Sequence, residues 1–147
     1  MPATRALVAS QTGRVHAALG DARNTERHLA QADELLADGL GEAPDWVAYF
    51  DAAKHAGARA VSARDLASLG AGRGRASVHF HEALQLRAPG FERVKAMDQI
   101  GLTAALFEEG EPEQGVPAAH QALDTATHLD STLVASRLNT LLDATHR

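Results

Sequence analysis

The chain contains no cysteine. Disulfides, thiolate metal sites and cysteine nucleophiles are therefore excluded. Nothing ties the chain to an oxidising compartment, which makes the cytoplasm its expected location. Basic residues are also scarce. There are 14 Lys and Arg against 19 Asp and Glu, a formal charge of −5, and the only lysines are Lys54 and Lys95. Nucleic-acid binding normally needs a basic face, so direct binding is not expected; the one local basic patch is Arg73 with Arg75. No run approaches the ~20 apolar residues that span a bilayer, so no membrane association is expected. Near the start, Gln11, Gly13, Arg14 and His16 interrupt any signal-like apolar stretch.

Aromatic residues make up 4% of the chain, whereas alanine occurs 31 times in 147 residues. Alanine has the lowest helix cost, and strands favour the β-branched and aromatic types that are sparse here. At this length, one all-α domain over residues 1–147 is expected. Apolar spacing predicts helices over residues 3–19 and 22–38, then over 46–69 with a break near Gly57. Asp45 reads as an N-cap, with Trp46, Tyr49 and Phe50 behind it. Further helices are expected over 75–87, 91–109 and from Pro112 to about His128. A last helix over 131–145 is capped by Asp130 or Ser131. Pro117 falls inside one of these helices and predicts a late start or a kink.

Three segments share a pattern. A small residue (Gly13, Ala63, Thr103) stands seven positions before a turn glycine (Gly20, Gly70, Gly110). An alanine (Ala32, Ala83, Ala122) follows that glycine by 12 or 13 positions. The glycine ends one helix in a left-handed conformation. The two small residues let the helices of a hairpin cross closely, and leucines fill the remaining groove.

On the strength of Leu19-Gly20-Asp21-Ala22, His28-Leu29-Ala30-Gln31-Ala32-Asp33-Glu34-Leu35 and Phe80-His81-Glu82-Ala83-Leu84-Gln85-Leu86, the chain resembles the tetratricopeptide repeat family. The resemblance implies an α-solenoid of about three helix-turn-helix repeats, over 3–38, 45–87 and 91–128, with a capping helix at 131–145. The turn glycines are 50 and then 40 residues apart, against roughly 34 in regular repeats. The run Pro44-Asp45-Trp46-Val47-Ala48-Tyr49-Phe50-Asp51-Ala52-Ala53 also looks like the C-terminal repeat domains of actinobacterial transcriptional regulators. In those, a helix-turn-helix DNA-binding domain precedes the repeats; these 147 residues hold no such segment.

The search for chemistry yields little. His120, Asp124 and His128 are spaced i, i+4, i+8 and offer a weak metal candidate on one helix, but a solvated polar stripe is the expected reading, and no metal or cofactor is expected. His79 and His81 fall on opposite sides of a helix. Asp51 and His55 are expected to form an ion pair, and His16 to be half-buried. Glu108, Glu109, Glu111 and Glu113 read as a solvated acidic turn. Gly70-Ala71-Gly72-Arg73-Gly74 lacks the strand and spacing of a dinucleotide fingerprint. No convergent catalytic group emerges, so an enzyme is not expected.

The resemblance implies a binding surface instead. The inner faces of the first helices of the repeats would line a concave groove holding Ser10, Arg14 and Ala17, then Ala60, Arg64 and Ala67, then Ile100, Ala104 and Phe107. Arg14 and Arg64 suit a partner protein or peptide with an acidic or carboxylate end. The expected function is a regulatory protein- or peptide-binding module. The alternative is a small-ligand-sensing domain of a transcriptional regulator, with Trp46, Tyr49, Phe50 and Arg64 lining the groove. A metalloprotein or enzyme using the histidine stripe is the remote one.

Overall fold

Three helical hairpins and a final helix make up the computed structural model, which describes residues 2–37, 52–72, 74–87, 92–129 and 132–145. The helices are α1 (Pro2–Ala18), α2 (Ala22–Ala37), α3 (Ala52–Ser68), α4 (Ala76–Leu86), α5 (Glu92–Glu108), α6 (Pro112–Ala126) and α7 (Thr132–Thr145). Among the described residues there is no strand, and no helix is long and apolar enough to cross a membrane. Two compact units form, Met1–Leu86 and Arg87–Arg147. In the first, α1 packs on α2 and α3, and α3 packs on α2 and α4. In the second, α5, α6 and α7 pack on one another.

The three hairpins turn by the same device. Gly20, Gly70 and Gly110 have φ of 79°, 70° and 78°, a region that side chains with a Cβ avoid. In each turn the glycine N–H donates to the carbonyl three residues back, at 3.0–3.1 Å (Ala17, Ala67, Phe107). The following N–H donates to the carbonyl five back, at 2.8–2.9 Å (His16, Leu66, Leu106). This paired arrangement satisfies two carbonyls that a helix end leaves open. After the first turn Asp21 caps α2, its Oδ1 accepting from the Asn24 amide at 3.1 Å. The Asn24 side-chain bond, then that amide, hold the Asp21 carboxyl below its ordinary value.

Small residues set the helix separations. Ala32, Ala83 and Ala122 are each 0% exposed, as crossing points require. A Cβ added at Gly13 would lie 2.8 Å from Leu29 Cδ2, closer than packed carbons allow. Thr103, at the equivalent place in the third hairpin, is also fully buried and donates to the Gln99 carbonyl at 2.8 Å.

Two local expectations are corrected. α3 runs unbroken through Gly57, because a single glycine weakens a packed helix without ending it. α6 begins at Pro112 and continues through Pro117, so the late start does not occur. Pro112 occupies the opening turn, where a missing N–H forfeits no intrahelical bond. Pro117 is exposed, so water can solvate the carbonyl it leaves without a donor. Asp45, Trp46, Tyr49, Phe50, Asp130 and Ser131 lie outside the described residues.

Ala83 tests the crossing geometry. Ala83→Leu forces three heavy atoms into a filled seam and should destabilise the chain by about 1–3 kcal/mol, read as a lower urea midpoint. An unchanged midpoint would mean that α3 and α4 do not cross there.

Candidate functional site

Of the residues expected on a concave groove, several stand elsewhere. Ser10, Ala17 and Ala60 are buried in the first unit. The small residues of α1 span an arc wide enough to face both α2 and α3, so the supposed wall is a seam between helices. Ile100 and Ala104 are buried too, in a cluster with Ala96, Ala122 and Leu141. There α7 covers the face of α5 that the groove assignment left open. Phe107 is half-buried, and a Cβ added at Gly115 would come within 3.0 Å of its ring. Arg14 and Ala67 are exposed, and Arg64 is half-buried.

The histidine stripe gathers no metal-ligand set. His120, Asp124 and His128 are exposed, and the described residues contain no group of three His, Asp or Glu placed to hold an ion. His128 Nδ1, in the turn after α6, lies 2.9 Å from the Asp124 carbonyl at the end of that helix. His16 is half-buried and stacks on His28 with ring centroids 5.2 Å apart.

Sequence reasoning missed a polar network inside the first unit. His55 and Arg59 are four apart on α3, and Glu26 and Asp33 are seven apart on α2; both spacings put a pair on one helix face. Across the seam, His55 Nε2 lies 2.8 Å from Asp33 Oδ1. Arg59 pairs with Asp33, and its Nη1 reaches Glu26 Oε2 at 3.3 Å. On the other side of the ring, Ser10 Oγ is 3.0 Å from His55 Nδ1. The expected Asp51 partner lies outside the described residues; the carboxylate against His55 comes from α2.

The carboxylate beside Nε2 assigns the tautomer of the neutral ring. A carboxylate only accepts, so Nε2 carries the hydrogen toward Asp33, and Nδ1 accepts from the Ser10 hydroxyl. Burial pushes the His55 imidazole below its ordinary value, opposed by the charge of Asp33 and reinforced by that of Arg59. Serine, histidine and aspartate in contact invite comparison with a nucleophilic triad. Ser10, however, is closed to substrate by its burial, and the three residues join α1, α2 and α3 into one block.

The second unit has its own buried pair. Arg87 Nε donates to Asp98 Oδ2 at 2.8 Å, with both side chains 9% exposed. This ties the segment before α5 to the second turn of that helix.

One surface feature stands out on α1. Val8, Val15 and Leu19 are 59%, 59% and 74% exposed. Val8 and Val15, at i and i+7, share one stripe of α1, opposite the buried Ala6, Ala9, Gly13 and Ala17, and Leu19 follows in the turn just after the helix. Most of the described small residues of α1 are buried while both of its valines are exposed, an inversion of normal partition. Leu69, also exposed, continues the patch: a Cβ added at Gly20 would lie 3.6 Å from its Cδ1. The distribution of residue size along α1 was the available signal.

Two measurements check the buried polar groups. The native His55 value lies below the ordinary 6.5, so the unfolded chain binds a proton first as pH falls. Stability contributed by neutral His55 should be complete above about pH 6.5 and decline below it. Urea midpoints between neutral pH and pH 5 should fall less steeply in His55→Gln; equal slopes would remove His55 from the pH response. Arg87→Ala should lower the urea midpoint because it removes the Arg87 counter-charge from the buried Asp98. Arg87→Ala with Asp98→Ala should cost less than the sum of the two single changes; additivity would mean that the pair is not coupled.

Comparison of the chain with protein-family models, with curated proteins and with solved structures finds no match in any of the three, so its functional reading rests on its own residues.

Proposed function

We propose that this chain is a helical repeat module of tetratricopeptide type that binds another protein or peptide in a regulatory role. The observation that carries this reading is the outward apolar stripe of α1, Val8, Val15 and Leu19. Exposed apolar side chains aligned along one helix face suit an interaction site. Burying one such side chain fully is worth about 1.5–3 kcal/mol, so three of them with Leu69 can anchor a partner. The occupant that fits is an amphipathic segment presenting apolar residues at helical spacing. Arg5, exposed one turn before Val8, favours acidic residues or a carboxylate on that segment, and Arg14, exposed beside the α1 seam, adds a longer-range positive charge. The repeated glycine turn and the buried alanines support the likeness to tetratricopeptide repeats. The likeness to repeat domains of actinobacterial regulators supports the regulatory role and a cytoplasmic setting.

The α1 stripe replaces the groove as the binding face. Arg64 already has interactions of its own, so its removal should matter less than that of Arg14.

The experiment is affinity capture from a lysate of the source organism, followed by titration of the purified partner. Val15→Asp and Leu19→Asp should each weaken binding at least tenfold, since a desolvated apolar contact is replaced by a charge. Arg14→Ala should weaken it by a smaller factor, and Glu111→Ala not at all. These positions are exposed, so circular dichroism should remain that of the parent. Parent-like binding by both α1 variants would refute the assignment, as would capture of no partner.

A further inference from the structure

α6 carries a second outward apolar stripe. Val116 and Leu123 are 50% and 43% exposed, and at i and i+7 they lie on one face of the helix. Pro112, one turn before Val116, is exposed as well. On α1, Val8 and Val15 stand at the same interval, and Leu19 follows Val15 by four positions. Laid antiparallel, the two helices bring all of these together in one register: Val8 meets Leu123, Val15 meets Val116 and Leu19 meets Pro112. The charges of the two helices are opposite. α1 holds Arg5 and Arg14 and no acidic residue, whereas α6 holds Glu113 and Asp124 and no lysine or arginine. In that same register Arg5 and Asp124, both exposed, stand at the same end and on the same flank of the joined stripes.

We infer that a second copy of this chain supplies the segment that seats on the α1 stripe, with α6 of one copy lying antiparallel on α1 of the next. This rests on the α1 stripe being a binding face. Charge selects the pairing: two α1 faces would oppose arginines and two α6 faces would oppose carboxylates, whereas α1 and α6 attract. The contact joins different surfaces of the two copies, so association continues from copy to copy unless a ring closes. An outside partner of α1 then has to displace α6, and its binding weakens as the chain becomes more concentrated.

The experiment is sedimentation equilibrium of the full chain at about 10 µM to 1 mM, where a small interface dissociates. The weight-average mass should rise with concentration and pass that of two chains. Val15→Asp and Leu123→Asp each place a charge in the apolar contact. Each should hold the mass at one chain, with the circular dichroism of the parent. Mixed in equal amounts, the two variants still offer one intact α6 and one intact α1. The mixture should therefore form a complex of two chains and nothing larger, which a misfolded variant would not do. Arg5→Glu should weaken self-association several-fold, and adding Asp124→Arg to that chain should recover most of the loss. Val78→Asp, at an exposed valine of α4, should associate like the parent. The proposal is overturned if the parent stays at one chain throughout, if the mixed variants do, or if either variant alone associates like the parent. It is also overturned if Val78→Asp dissociates the copies or the double charge reversal recovers nothing. A single-chain parent that still binds a captured partner through α1 would remove only the second copy as occupant and leave the binding stripe standing. Self-association without capture of any other protein would do the reverse.

Discussion

Close approach of helix backbones is the constraint on which the rest of this molecule depends. Two helices meet at short distance only where neither presents much beyond a methyl group. Gly13 under Leu29, and the fully buried Ala32, Ala83 and Ala122, mark those places. Each alanine buries little area, so stability must come from many contacts over long seams rather than from a few large side chains. The left-handed glycines hold each pair in register at one end. A chain with 4% aromatics can form a core in this way. It does so at the expense of its larger residues, several of which are left outside.

Alanine seams are smooth and can slide. The polar groups inside the first unit oppose that. His55 touches Ser10 of α1 and Asp33 of α2 at once, and Arg59 reaches two carboxylates of α2. Hydrogen bonds and ion pairs are directional and tolerate little displacement. They fix which rung of one helix faces which rung of the next, something apolar contact between methyl groups does poorly. In the second unit the Arg87–Asp98 pair fixes the approach to α5 in the same way.

Much of this organisation was legible in the sequence, and the illegible part has a common cause. The turn glycines and the alanines 12 or 13 positions later depend on local geometry, which short-range spacing encodes. The face of each helix that meets a third helix does not. Ser10 was expected on an open wall because the resemblance placed it, with Arg14, on the inner face of the first helix of a repeat. It is buried because α3 packs on that side, a fact carried by residues 45 positions away. Ile100 and Ala104 were misplaced for the same reason, since α7 returns over them. The partners of His55 and Arg59 lie on another helix, and no spacing rule reaches across an intervening loop. The exposed stripe on α1 was readable in principle. The expectation treated small and large apolar residues alike, whereas the helix sorts them to opposite sides.

The second hairpin departs from the other two in length. α2 and α6 begin two residues after their turn glycines, whereas α4 begins six after Gly70. Yet its crossing alanine is displaced by only one position. The later start of α4 leaves a notch beside α2 and α3 where Gly72 and Gly74 form part of the lining. Vacancy here is a product of counting rather than of chemistry. Among three hairpins closed by the same glycine turn, the second is set apart by the length of the segment that follows its glycine.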